Sequence, residues 1–378
     1  MAIGRLDYQQ SAKHTIFGRY LMEHLVDPAP YDLDHNILSM AGSQTPRIDA
    51  FSQAFTIGST YLISSNVVNS LRLTANRIAA GKFEALDLPK AGLGFAELGV
   101  HAFSYEPYFV PVNVTAGFAV TTSAGPARVA VFGVNDDISV IRGNHEMVFG
   151  ENAEAWWVNS YTNQYYSNFR FNGGNTGLGL ADFLTGHSNQ FLAGGSAGQN
   201  KRQEYLAVYA NDTWKLRPRL TLNYGLRWQP YFPMVHLDGS AIHFDENALK
   251  NGIKSTRFDN SPPGVFFNGD PGFPGAAGTY TKWNNFAPRL GLAWDVTGDG
   301  RTSLRASGGM FYDFPNTHYM VSLTSSAPWN PRYTLTGDVN FENPWSNTPG
   351  GDPFPMPQGR NVARNVQWPN FVVVCHEL

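Results

Sequence analysis

From Leu220 to Trp228 every second residue is apolar. Leu220, Leu222, Tyr224, Leu226 and Trp228 fall on one face, and Thr221, Asn223, Gly225 and Arg227 on the other. That is the two-residue period of a strand, whereas a helix would scatter the same side chains around its circumference. The preceding arm, Tyr205 to Thr213, reaches it through Trp214, Lys215, Leu216, Arg217 and Pro218, and the proline helps end one strand before the next begins. The plan recurs from Phe286 to Tyr312, where Leu290, Leu292 and Trp294 oppose Arg289, Gly291, Ala293 and Asp295. The returning arm sets Leu304, Ala306, Met310 and Tyr312 against Ser303, Arg305, Ser307 and Gly309, across a turn containing Asp299-Gly300. A third copy runs from Phe55 to Arg77 around Ser64, Ser65 and Asn66, and a fourth turns at Arg142, Gly143 and Asn144. A fifth opens the chain, with Leu6 and Tyr8 before a turn near Ser11 and Ile16, Gly18 and Tyr20 after it.

Five hairpins predict about ten strands. Between them lie long connections, about Glu23 to Asp49, Ile78 to Ala127, Trp156 to Lys201 and Gln229 to Asn285, and residues 314–378 read as a loop-like tail. Short turns at one end and long loops at the other are the layout of a transmembrane barrel, and a soluble domain has no reason to keep it. A bilayer demands internal pairing of every backbone amide, which strands achieve only in a closed barrel. Leu220 to Trp228 rises by roughly 27 Å at about 3.4 Å per residue, and a tilt of about 40° brings that to roughly 20 Å of thickness, close to an outer-membrane apolar band.

Composition sharpens this picture. Of the 378 residues 15% are charged and 14% are aromatic, against about 25% charged in an average soluble domain. Something other than water therefore faces part of the surface. The longest uncharged run, Pro107 to Ala127, holds three prolines and is no spanning helix. A net charge of -3 without a basic tract argues against a nucleic-acid partner, and the single cysteine, Cys375, excludes an intrachain disulfide framework. Tyr20, Tyr61, Trp214, Trp228, Trp294 and Tyr312 lie near ends of the alternating stretches, where amphipathic rings favour the water–lipid boundary. Arg72, Asp137, Arg227, Arg289, Asp295 and Arg305 fall on the opposite, polar faces. Arginines there would be costly in a dry sandwich core but suit a wet lumen.

The run EYLAVYANDTWKLRPRLTLNYGLRW, Glu204 to Trp228, resembles a hairpin of TonB-dependent outer-membrane receptors, particularly the large Oar-like group. Three more stretches are similar to that group: FAPRLGLAWDVTGDGRTSLRASGGMFYD (Phe286 to Asp313), GRLDYQQSAKHTIFGRY (Gly4 to Tyr20) and GLGLADFLTG (Gly177 to Gly186). The resemblance implies an all-β, antiparallel transmembrane barrel with long extracellular loops, in the outer membrane. Residues 1–378 would be an incomplete barrel domain, an internal part of a barrel of about 22 strands, a size expected to be plugged. Neither a signal peptide nor a plug domain is legible, since Met1 to Gln10 runs into Arg5 and Asp7 without an apolar stretch, and Phe371 to Leu378 lacks a terminal aromatic strand. The implied partners are outer-membrane lipid, a plug domain and the TonB energy-coupling complex. The implied function is energy-coupled uptake of a scarce nutrient, with lumen-facing Arg72, Asp137, Arg227, Arg289, Asp295 and Arg305 setting polarity or holding the plug. Two alternatives stand beside it: a passive porin or adhesive barrel, and a soluble β-rich binding protein.

Candidate chemistry is sparse along the chain. Gly194 to Gly198 matches G-x-S-x-G, but a Gly-rich loop surrounds it where a strand and a helix would be needed. Asp295 and Asp299 suit a tight turn better than a calcium loop. His236, Asp238, His243, Asp245 and Glu246 offer metal-ligand types without helical zinc spacing, so a solvated loop is the expectation. No nucleophile, base and stabiliser converge, and the expectation is a non-enzymatic protein without a cofactor. Trp156, Trp157, Tyr161, Tyr165 and Tyr166, with Phe169 and Phe171 beyond them, are expected either to form a ligand-facing loop surface for a small molecule, carbohydrate or peptide, or to pack on themselves.

Overall fold

The computed structural model describes residues 1–28, 47–83, 92–105, 107–120, 125–162, 167–194, 197–313, 328–329, 332–356 and 362–364. The strands β1 (Ala2–Ser11), β2 (His14–Asp27), β3 (Arg47–Ser64) and β4 (Val67–Phe83) are followed by two short ones, β5 (Val112–Val114) and β6 (Ala119–Val120). Next come β7 (Gly125–Arg142), β8 (His145–Thr162), β9 (Asn168–Phe171), the helix α1 (Gly179–Thr185) and β10 (His187–Gly194). β11 (Ala197–Arg217) and β12 (Leu220–Trp228) precede β13 (Val235–His236), β14 (Ile242–Phe244), the helix α2 (Glu246–Lys250) and β15 (Val265–Phe267). β16 (Phe286–Asp295), β17 (Ser303–Gly309) and β18 (Arg332–Asn340) complete the described elements.

One sheet dominates, in the order β1-β2-β3-β4-β7-β8-β11-β12-β16-β17, with β13 added to β11. Every pairing in it is antiparallel, and each of the five predicted hairpins is present. Register shifts sit just before three of the turns, at Gln9/Ser11, Leu62/Ser64 and Lys215/Arg217, where an extra residue bends the strand into the reversal. At another turn Gly143 has φ 59°, the left-handed conformation that glycine adopts without steric cost. Among the described residues β1 and β17 end the order without pairing to each other, so this part of the barrel is an open, up-and-down sheet.

The strands outrun the sequence reading. β3, β7 and β8 each have 18 residues and β11 has 21, whereas crossing a bilayer takes about 9–11. The far ends of β8 and of the 17-residue β4 cover stretches expected as loop, Trp156 to Thr162 and Ile78 to Phe83. Pairing continues there after the clean alternation fades, because a strand wet on both faces has no need of an apolar side.

The long connections fold as well. β18-β10-β9-β5-β6 form a second sheet, in which β5 and β9 run parallel. Its core holds Phe169, Phe171 and Phe191, all fully buried, with Val110, Val114 and Trp345 around them. Asp182 of α1 organises the preceding glycine-rich turn. Its carboxylate accepts from the Gly173 and Thr176 amides at 2.8 Å each and from the Thr176 hydroxyl at 2.6 Å. The Thr176 hydroxyl, opposed by burial and aided by the backbone amides, holds that carboxyl below the usual carboxylate range. β18 lies in the stretch expected as a loop-like tail. It pairs along the edge of β10 that β9 leaves open, satisfying the backbone groups there. A third unit pairs β14 with β15 over Met234, Phe258, Phe267 and Trp329.

Candidate functional site: the inward face and the rim

Residues directly opposite each other in an antiparallel pair share a face. Arg227 pairs with Tyr209, Tyr209 with Gly150, Gly150 with Asp137 and Asp137 with Ser70, two positions before Arg72. Arg289 pairs with Gly225, and Arg305 with Ala293, two positions before Asp295. All six polar candidates therefore lie on one face of the sheet. The other face carries Val208, Leu226, Phe132, Phe149 and Leu290, each an exposed large hydrophobic.

The inward residues form local networks. The Tyr209 hydroxyl donates to Asp137. Arg227 donates through Nη2 to the Tyr205 hydroxyl at 2.6 Å and through Nε to Gln229 Oε1 at 2.9 Å, with its guanidinium 5.1 Å from the Tyr209 ring centre. Asn152 donates to Asn135 at 2.5 Å, directly opposite it. Arg289 lies over the Phe311 ring at 5.0 Å. Asp295 is occupied otherwise, accepting from the Gly298 and Gly300 amides at 2.8 and 3.0 Å and so shaping the turn that follows β16.

Tyr209 reaches Asp137 because the position between them is glycine. A Cβ on Gly150 would sit 2.5 Å from Tyr209 Cζ. Phe17 lies over Gly58 in the same way. Gly150→Leu is expected to lift the Tyr209 ring off Asp137 and to cost about 1–3 kcal/mol by overpacking. Urea unfolding in detergent micelles measures this, and an unchanged midpoint would contradict it.

At the far end of β11 the inward face is closed over. Lys201 is fully buried and pairs with His236 of β13. Among the described residues neither Lys201 Nζ nor His236 Nε2 has a hydrogen-bond partner. Burial, reinforced by the Lys201 charge and opposed by Asp238, pushes the His236 imidazole down to about 4, so it is neutral at ordinary pH.

Tyr61, Trp214 and Trp294 sit on the apolar face close to the short turns, and Trp228 ends β12 on the same face. Tyr20 shares that face but stands in the middle of β2, since the strand continues to Asp27. Tyr312 follows β17, and its hydroxyl donates to the Phe286 carbonyl at 3.3 Å.

The expected loop constellation is corrected. Trp156, Trp157 and Tyr161 belong to β8, and consecutive residues of a strand point to opposite faces. Trp157 faces outward under the Arg202 guanidinium at 5.4 Å, while Trp156 donates to Glu154 at 2.7 Å. Tyr165 and Tyr166 lie outside the described residues, as does Ser196 of the G-x-S-x-G match. Phe169 and Phe171 are core of the second sheet. Of the histidine and carboxylate loop, Asp245 caps α2 by accepting from the Ala248 amide, and His243 Nδ1 pairs with the Gly278 carbonyl. Among the described residues no group of three or more such side chains is arranged to hold a metal ion.

The sequence reading missed one further feature. A cleft of about 670 Å³ opens beside the end of β11, lined by Arg202, Glu204, Phe232, Phe273, Tyr280 and Trp283. Its aromatic residues are spread over two loops without any period, so alternation could not have found them.

These features define a membrane-spanning β-sheet with an apolar outer face and a polar inner one. Residues 1–374 match the family described as the outer membrane beta barrel domain; the chain belongs to that family and is a protein of the outer membrane. Among solved structures it is similar to the copper transporter OprC, at 11% identity and a TM-score of 0.46, covering 82% of this chain and 36% of that one. It is also similar to the ferric-catecholate import receptor Fiu from E. coli K12, at 10% identity and a TM-score of 0.38, covering 78% of this chain and 40% of that one. The toluene transporter TbuX of Ralstonia pickettii matches at 8% identity and a TM-score of 0.25, over 82% of this chain and 68% of that one. The chain thus spans well under half the length of the first two. No curated protein matches.

Proposed function

We propose that this chain is the barrel portion of a TonB-dependent receptor-like transporter that takes up a scarce nutrient across the outer membrane. The observation that carries this reading is the two-faced sheet, apolar outside and lined inside by Arg72, Asp137, Arg227, Arg289 and their tyrosine and amide partners. Fixed guanidinium and carboxylate groups on an inner wall suit a wet interior that holds a plug domain, and barrels of this class exceed the size that side chains alone can fill. The Oar-like hairpin motifs support the same assignment. The role is transport and reception, without catalysis by this chain.

Charge reversal tests it. Arg227→Glu combined with Arg289→Glu in the full-length protein is expected to loosen the plug and lower energy-dependent uptake, read as increased conductance in planar bilayers and reduced accumulation in cells. Unaltered uptake and conductance would remove these residues from the role. Uptake that persists after collapse of the proton gradient would replace the transporter reading with a passive porin.

A further inference from the structure

The two charged residues of the cleft at the end of β11 lie on the outer face of the sheet. Arg202 pairs with Trp157 and Val235, and Glu204 pairs with Ala155. Both therefore share the face of Val208 and Trp228, which is the outer one. The cleft stands at the rim of the barrel wall, just beyond the exposed apolar band.

Its walls combine exposed rings with fixed contacts. Trp283 is 59% exposed and Tyr280 58% exposed. Yet Trp283 stacks on Trp228 at 6.3 Å, meets Phe232 edge-on at 5.4 Å, and has its carbonyl bonded by Trp228 Nε1 at 2.7 Å. The Tyr280 hydroxyl donates to the Gly272 carbonyl at 3.2 Å. Arg202 is fixed by Asn159 Oδ1 at 3.0 Å and by the ring of Trp157. An exposed ring held on its other sides is a preformed platform, whose ordering cost was met in folding.

We propose that this cleft is a saccharide-binding site on the outer rim. Flat rings suit the C–H faces of a pyranose, and a guanidinium beside a carboxylate offers a donor and an acceptor to neighbouring hydroxyls. Arg202 and Glu204, of opposite charge and two residues apart on one face, give the cleft no net charge, which suits a neutral, hydroxyl-rich ligand. Such a ring reaches the rim either as a free glycan or as the headgroup of a membrane glycolipid.

The test is calorimetric titration of the full chain in detergent micelles with maltohexaose, cellohexaose and chitohexaose, beside co-flotation with phosphatidylcholine vesicles that do or do not contain digalactosyl diacylglycerol. Binding to at least one hexasaccharide assigns a free glycan; enrichment on the glycolipid vesicles alone assigns a headgroup. Trp283→Ala is expected to weaken either by about tenfold, the scale of one lost aromatic platform. Glu204→Gln, a same-size change at an exposed position, is expected to weaken it by about threefold to tenfold, and raising NaCl from about 0.05 to about 0.5 M is expected to leave it unchanged. No heat with any hexasaccharide and no glycolipid enrichment overturns the proposal. So does undiminished binding by a folded Trp283→Ala and by Glu204→Gln, or a response abolished by salt.

Discussion

Replacing Asp270 by alanine is expected to unfold the segment between Lys254 and Phe273 while the large antiparallel sheet stays folded. The Asp270 side chain is buried and collects five donors. These are the Ser255 hydroxyl at 2.7 Å, the Phe267 and Thr256 amides at 2.8 Å each, the Thr256 hydroxyl at 3.0 Å and the Arg257 amide at 3.1 Å. Burial alone would raise its pKa, but the bonds from Ser255, Phe267 and Thr256 together outweigh burial and hold the carboxyl below the usual range. Each buried donor left unpaired costs about 1–3 kcal/mol, and partial rehydration limits the total to roughly 4 kcal/mol. Hydrogen exchange is the measurement: the Thr256 to Phe267 amides should lose protection in Asp270→Ala, and the β11 and β12 amides should keep it. Because the folded pKa is depressed, this contribution is fully present above the unfolded carboxylate range. It is lost as pH falls through the folded value.

Acid is expected to release a different element through His236. Its ordinary value of 6.5 falls to about 4 in the fold, so between those two pH values the unfolded segment takes up a proton that the folded one refuses. The contribution of His236 to the stability of β13 on β11 is therefore full above pH 6.5 and declines as pH falls toward 4, by about 3 kcal/mol in all. Lys201 sharpens the effect by repelling the imidazolium, and Asp238 opposes it. His236→Phe keeps a buried ring without a titrating group and is expected to flatten the profile. Exchange of the Leu237 amide, bonded to the Asn200 carbonyl at 2.9 Å, reports on this contact. Equal acid sensitivity in His236→Phe would show that another group governs the release.

Much of the barrel wall is legible in the sequence. The five turns and the faces of Leu220 to Trp228 and of Phe286 to Asp295 follow from side-chain alternation, because each strand separates lipid from a wet interior. Common placement of Arg72, Asp137, Arg227 and Arg289 on one face followed from the same period. Their partners did not. Tyr209 bonds Asp137 across Gly150, a contact set by the register of three strands with no local signature. The Trp156 to Tyr161 stretch misled because a strand rising above the bilayer keeps its backbone pairing after it loses its apolar face.

The amino-acid pattern by itself determined the hairpins, the turn chemistry and the inside and outside of the sheet, since those depend on neighbours one and two residues away. Only the tertiary structure decided what the long connections become. Phe169, Phe191 and Trp345 meet in one core, Lys201 is closed over by His236, and Arg202 and Trp283 line the same rim cleft. Each of these joins residues tens of positions apart or more, brought together by burial and pairing across the fold, which leave no period in the chain.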